Sequence, residues 1–172
     1  MALKPLESIL TKKETQIMSN KQQSVEIKLV NPKLQKIPRY ETEHAAGLDL
    51  QILLDESIEL RPGEQTGLIS TGVAINILDK SMFAAIYPRS SSGVKGVTLA
   101  NTVGIIDPDY QGEIKLCIRN VSNKPIFLKD LDRVAQLIFQ PVIRPNLTQV
   151  GSFSTETKRG CGGFGITDDN SY

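Results

Sequence analysis

A chain of 172 residues has the length of a single domain, enough for one core to bury about 70% of the surface that the unfolded form exposes. Its 20 Lys and Arg against 19 Asp and Glu leave a net charge of +1, which argues against the broad basic surface of a nucleic-acid binder. One histidine, His44, and two distant cysteines, Cys117 and Cys161, all but exclude a zinc cluster or a Ser-His-Asp hydrolase by inventory alone.

Residues 1–23 are polar and lysine-rich, with Leu6, Ile9, Leu10 and Ile17 spaced for a short helix. So few apolar residues do not repay the entropy of ordering, and the segment reads as a disordered or loosely docked extension. It lacks the continuous apolar core of a secretory leader, and no stretch reaches membrane-spanning length. With both thiols expected to be free, a soluble, reducing compartment follows, the cytoplasm or its equivalent in a host cell, and no membrane partner.

From Val25 the chain reads as strand after strand. Val25, Ile27 and Leu29 alternate with Glu26, Lys28 and Val30, the period of a half-buried strand. Further candidates are Gly47–Leu54, Gln65–Ile77, Met82–Tyr87 and Val97–Ala100, then Ile114, Leu116 and Ile118 alternating through Arg119, and Ile126–Leu128 and Val134–Val142. Asn31-Pro32, Arg61-Pro62-Gly63, Asp107-Pro108-Asp109 and Asn123-Lys124-Pro125 punctuate them as turns. Helical periodicity is nearly absent after residue 24. The expected fold is all-β, a sandwich or closed barrel over residues 24–150, followed by a glycine-rich segment over 151–172.

Five blocks carry chemistry. The apolar run Asn101-Thr102-Val103-Gly104-Ile105-Ile106 ends in Asp107 and turns at once through Pro108-Asp109-Tyr110. A carboxylate at a strand end beside a ring and an amide can hold a water while ring and amide grip a small ligand; taken alone, the same turn is an ordinary Asp-Pro cap. In Pro88-Arg89-Ser90-Ser91-Ser92-Gly93, a planar fork of donors, hydroxyls and backbone N–H groups suits a phosphate chain. Asp49 stands in the apolar setting Ala46-Gly47-Leu48-Asp49-Leu50, where a charge is either paired or metal-linked. In Asp132-Arg133-Val134-Ala135-Gln136, strand alternation turns Gln136 away from Ala135 and Leu137; Arg133 belongs either to the site or to an ion pair with Asp132. The terminal Arg159-Gly160-Cys161-Gly162-Gly163-Phe164-Gly165 is too rich in glycine to hold one conformation unaided and suits a lid.

In this order the five blocks resemble the five motifs of the homotrimeric dUTPases, the dUTP pyrophosphatases, over roughly residues 25–167. The resemblance implies a jelly-roll-like β-barrel with a flexible C-terminal tail, assembled as a homotrimer whose sites are shared between subunits. It implies hydrolysis of dUTP to dUMP and pyrophosphate, which sanitises the nucleotide pool and supplies dUMP for dTMP synthesis, with Mg²⁺ as cofactor. By the same resemblance Asp107 activates the water that attacks the α-phosphate and Gln136 bonds that water. Arg89 and Ser90, flanked by Ser91 and Gly93, hold the phosphate chain. Asn101 reads uracil, Tyr110 excludes a 2′-hydroxyl, and Asp49 contacts metal-bound waters in the outer sphere. Arg159, Phe164, Gly165 and Thr167 belong to the lid, where Ile166 and Asp168 replace the family's hydroxyl and glycine.

Two other readings compete. A dCTP deaminase shares fold and motifs, but that family has a proton-shuttling Glu and a second Arg where this chain has Cys117 and Val94. A non-catalytic, nucleotide-sensing protein on the same scaffold is the other, disfavoured by joint retention of Asp49, Arg89, Asp107, Tyr110 and Gln136.

Overall fold

The computed structural model describes residues 25–162. It divides the chain into two units, Met1–Val142 and Ile143–Tyr172. The described part of the first unit holds eleven strands and one short helix. The strands are β1 (Val25–Leu29), β2 (Leu48–Gln51), β3 (Ile58–Leu60), β4 (Ile69–Ile77), β5 (Met82–Pro88), β6 (Val97–Leu99), β7 (Gly104–Ile106), β8 (Glu113–Leu116), β9 (Ile118–Asn120), β10 (Ile126–Leu128) and β11 (Arg133–Pro141). The helix α1 (Ser90–Val94) lies between β5 and β6.

Every strand pair is antiparallel. Two larger sheets have the orders β1-β4-β8 and β2-β11-β5-β7, with β10-β3 and β6-β9 as two-stranded ribbons. Their inward faces share one core of Leu50, Ile52, Val73, Ile75, Ile77, Ala84, Ile86, Ile114, Leu116, Ile118, Ala135 and Leu137, all 3% exposed or less. At about 25 cal/mol per Å² of apolar surface removed from water, these β-branched and leucyl side chains are the main source of stability.

Most expected strands are present with shifted ends. The Gln65–Ile77 run becomes a regular strand only at Ile69; before it Gln65 makes an isolated bridge to Arg119, and Thr66 turns its side chain onto that neighbour, its Oγ1 accepting the Ile118 N–H at 3.0 Å. The Gly47–Leu54 run is regular only over Leu48–Gln51, after which Leu53 bridges Ser70. The expected strand through Ile114–Arg119 keeps its alternation but is split. β8 pairs with β4, the Cys117 carbonyl accepts from Ala100 N at 2.8 Å, and β9 continues in another ribbon with β6. β3 was not anticipated; it is a three-residue strand that pairs with β10. Nor was α1, since Ser-Ser-Ser-Gly carries no helical periodicity. The carbonyl of Arg89 holds its first turn by accepting the Ser92 and Gly93 N–H groups at 3.0 and 2.9 Å.

His44 is exposed. Cys117 and Cys161 are both free. No helix of the described residues is long and apolar enough to cross a membrane.

Candidate active site

The nine-residue strand β11 is central to the site because it pairs on both sides. Gln136 stands opposite Asp49 of β2 and opposite Tyr87 of β5, so the three side chains share one face of the sheet. Gln136 is half-buried there and donates through Nε2 to the Pro88 carbonyl at 3.3 Å. Gly47 makes room for it: a Cβ at that position would lie 3.2 Å from Gln136 Oε1 and 3.0 Å from Ile138 Cγ1.

Asp49 is a paired charge. Its Oδ1 meets Arg89 Nε at 2.8 Å and its Oδ2 meets Arg133 Nη1 at 3.1 Å. The carboxylate is only 14% exposed, and because Arg89 is 29% exposed against 45% for Arg133, the pair with Arg89 is the less screened by water. Arg133 therefore pairs with Asp49 and also, at 3.5 Å, with Glu41. The alternative pairing with Asp132 is not formed, since Asp132 Oδ2 accepts the Lys129 N–H at 2.8 Å.

Arg89 closes β5 and begins α1. Its backbone N–H donates to the Val134 carbonyl at 3.1 Å and its Nη1 to the Arg133 carbonyl at 3.4 Å. Of the three serines that follow, Ser92 is buried, while Ser90 and Ser91 are exposed. Arg89 and Ser91 line a concavity of about 320 Å³ together with Lys95 and Arg133. Gly93 is exposed, and a side chain there would meet nothing within 4 Å, so packing within one protomer does not demand glycine.

Asp107 follows β7 directly. Its carbonyl accepts the Tyr110 N–H at 3.0 Å, closing the Pro108-Asp109 turn. Tyr110 donates its hydroxyl to the Glu113 carbonyl at 2.9 Å. Its ring packs over bare backbone, for a Cβ at Gly112 would lie 2.6 Å from the phenol oxygen. Asp107 and Tyr110 line one cavity of about 480 Å³ with Leu68, Ile105, Ile106 and Lys115. Asp107 is exposed.

Asn101 lies in a neighbouring concavity with Gln65, Leu68, Ala100 and Cys117. In the structure the strands flanking it, β6 and β7, pair with β9 and β5 instead of each other, and Asn101 sits at the exposed turn where the chain changes sheets. The turn is tight, with Thr102 at φ 63° and the Val103 N–H donating to the Asn101 carbonyl at 2.7 Å.

The second unit is described to Gly162. There Arg159 Nε donates to the Gly162 carbonyl at 2.8 Å, and Gly160 takes a positive φ of 51°. The tail residues Phe164, Gly165 and Thr167, with Ile166 and Asp168, lie outside the described residues.

The candidates thus fall into groups. Asp49, Arg89, Arg133 and Gln136 meet around β11; Asp107 and Tyr110 share a second cavity; Asn101 lines a third. Sequence reasoning missed Lys80, whose Nζ donates to the Pro108 carbonyl at 2.6 Å, and Glu41. Neither sits in a block, and only the fold brings them near.

Comparison with known proteins resolves what this assembly belongs to. The dUTPase family model matches residues 33–168. The chain belongs to the dUTPase family. It is 45% identical over 145 residues to the deoxyuridine 5′-triphosphate nucleotidohydrolase of Histophilus somni, covering 82% of this chain and 95% of that one. It is 48% identical over 130 residues to the protein of that name from Haemophilus influenzae, covering 75% and 85%, and 46% identical over 147 residues to that from Acinetobacter baumannii, covering 83% and 97%. Among solved structures, the dUTPase of Staphylococcus bacteriophage 80alpha with dUpNHpp superimposes with a TM-score of 0.68 at 24% identity, over 83% of this chain and 97% of that one. The dUTPase of phage phi11 of S. aureus gives 0.65 at 21% identity, over 77% and 99%. The mostly β fold is that of these dUTPases.

Proposed function

We propose that this protein hydrolyses dUTP to dUMP and pyrophosphate, as a homotrimer in a soluble, reducing compartment. The observation that carries the reading is that the family match spans residues 33–168, the range that contains Asp49, Arg89, Asp107, Tyr110, Gln136 and Arg159.

The chemistry is that of placement and field. Asp107, an exposed carboxylate on a turn closed by hydrogen bonds, offers lone pairs to a water and takes its proton as that water attacks the α-phosphate. Gln136 holds the same water or the α-phosphate through its carboxamide. Arg89 has five N–H donors, of which Asp49 and the Arg133 carbonyl take two, and the rest face charge developing on the phosphates. Ser90 and Ser91 add hydroxyl donors, with Gly93 beside them. Tyr110 packs against the sugar where a 2′-hydroxyl would stand, and Asn101 complements the uracil edge. Arg159, Phe164, Gly165 and Thr167 close over the nucleotide.

Mg²⁺ fits an outer-sphere role. Among the described residues no group of three or more His, Cys, Asp or Glu could hold a metal ion; Mg²⁺ itself favours phosphate oxygens and retained water as ligands. Asp49 retains lone pairs beyond the two taken by Arg89 and Arg133, and these would accept from metal-bound waters. When bound, the ion neutralises phosphate charge.

The threefold assembly is supported by the site's dispersal: one protomer leaves its candidates in separate cavities. Beside Asp107 it also exposes Leu68 (73%) and Ile105 (56%), apolar surface of the kind a neighbouring subunit covers. The deaminase reading gains nothing. Val94 is an exposed apolar residue, and the Cys117 thiol donates to the Thr66 carbonyl at 3.0 Å.

Pyrophosphate release from dUTP, UTP, dTTP and dCTP, with and without Mg²⁺, tests the reading. Turnover confined to dUTP and dependent on the metal is expected; ammonia from dCTP, or no turnover of dUTP, would overturn it. Light scattering of the active protein is expected to give three copies of the chain.

A further inference from the structure

Arg133 and Gln136 are three residues apart, so a regular pleat would turn their side chains to opposite faces of β11. The register shows why it does not: Gln51 stands opposite Arg133 and Leu50 opposite Ala135, leaving Val134 as an extra residue in the strand. This β-bulge buries two successive side chains, Val134 and Ala135, and re-aims Arg133 onto the face that carries Asp49 and Gln136.

Around that face five charges alternate in sign, beginning with Arg39, whose Nε lies 3.6 Å from Glu41 Oε1. Glu41 Oε1 lies 3.5 Å from Arg133 Nη1, which lies 3.1 Å from Asp49 Oδ2; the other oxygen of Asp49 lies 2.8 Å from Arg89 Nε. Asp49 is the least exposed member, at 14%, and two cations compete for its one negative charge. Glu41, in the segment before β2, supplies the second anion and draws Arg133 to the far side of Asp49. Arg89 is then fixed at Nε by Asp49 and at Nη1 by the carbonyl of Arg133 itself, at 3.4 Å. Residue 133 therefore orients Arg89 twice, through its backbone and through Asp49.

We propose that Arg133, held by Glu41 and aimed by the bulge at Val134, is a positioning residue that sets the Arg89 guanidinium for the triphosphate. The proposal rests on the dUTP-hydrolysing function given above. Arg133 need not touch the nucleotide; it determines which edge of Arg89 does.

The test compares full-length wild type with Arg133→Gln, Arg133→Lys, Glu41→Gln, Arg89→Gln and the Arg89→Gln/Arg133→Gln double variant. Two ligands are titrated, with the metal chelated and with it present: the imido analogue dUpNHpp by calorimetry, and phosphate-free deoxyuridine by NMR. Arg133→Gln is expected to weaken dUpNHpp about tenfold, or about 1.4 kcal/mol, and to leave deoxyuridine within about twofold, because only phosphate contacts run through Arg89. Arg133→Lys should recover part of the loss, Glu41→Gln should show about a third of it, and the double variant should bind no more weakly than Arg89→Gln alone.

Equal affinity of wild type and Arg133→Gln for dUpNHpp would overturn the proposal, as would equal weakening of both ligands or independent, multiplying effects in the double variant. If Arg133→Gln does not fold, Glu41→Gln decides, since its site is exposed, and wild-type affinity there overturns the proposal. Wild-type protein that binds neither ligand removes the functional reading and this inference with it. Wild-type protein that binds both, matched by the variants, removes the positioning role alone.

Discussion

Lys80, between β4 and β5, donates to the carbonyl of Pro108 at 2.6 Å and to that of Ile77 at 2.8 Å. One ammonium therefore ties the end of β4 to the turn that carries Asp107 on its first residue and Tyr110 on its last.

Removing that tie should affect rate more than stability. Lys80→Met keeps the stem and loses the donors, letting the Asp107–Tyr110 turn drift. A displacement of less than about 1 Å at a group that orients water lowers kcat by about 3- to 10-fold. Steady-state kinetics together with a thermal melt check this: kcat should fall while Tm stays within a few degrees.

Tyr110 provides a finer contrast. The ring lies over Gly112 and the hydroxyl is spent on the Glu113 carbonyl at 2.9 Å, so sugar discrimination should belong to the ring. Tyr110→Phe is expected to keep the preference for dUTP over UTP within about threefold, whereas Tyr110→Ala should erode it by about tenfold or more, the scale of one lost packing contact in a specificity pocket. The ratio of kcat/KM for the two nucleotides decides.

How far the sequence foretold this molecule follows from what alternation records. Apolar residues in alternation, such as Ile114, Leu116 and Ile118, marked the core correctly even where the chain changed sheets at Cys117, because burial depends on the face and not on the partner strand. The segment that places Asp107 at the end of β7 was legible from its apolar run and Pro108. The face of Arg133 was not. A bulge leaves no mark in composition, and alternation counted through Val134 assigns the wrong side. Glu41 and Lys80 were hidden for a different reason: they act across 92 and 28 positions of chain, on Arg133 and Pro108, and local patterning is silent on such contacts.

Asn120 was equally invisible, and it is the most consequential buried polar side chain. Fully buried, it donates through Nδ2 to the carbonyls of Leu60 and Lys124 at 2.8 Å each and accepts through Oδ1 from Ser122 N and Oγ, also at 2.8 Å. Asn120→Ala removes all four bonds and strands their partners, a loss of about 2–4 kcal/mol. Chemical denaturation should show the midpoint falling accordingly.

Gly96, next to α1, is constrained by the same corner. It has a φ of 82°, and a Cβ there would lie 2.9 Å from Ser122 N and 2.5 Å from Ser122 Cβ. Backbone cannot yield as a side-chain tip can, so Gly96→Ala should cost about 1–3 kcal/mol and displace the Arg89–Gly93 segment. The measured signature is a lowered denaturation midpoint accompanied by a raised KM for dUTP.

The sharpest prediction concerns Asp107 against Asp109, two exposed carboxylates on one turn. Only Asp107 lines the cavity shared with Tyr110 and Lys115, so only its charge should matter to the attacking water. Asp107→Asn preserves size and the backbone bond to Tyr110 N but cannot take a proton, and kcat should fall by about 10²- to 10⁴-fold, the range for loss of a general base, with dUpNHpp affinity nearly unchanged. Asp109→Asn should retain near wild-type turnover. Single-turnover pyrophosphate release on the two variants separates them, and similar rates in both would mean that the turn serves structure and that the water is activated by another group.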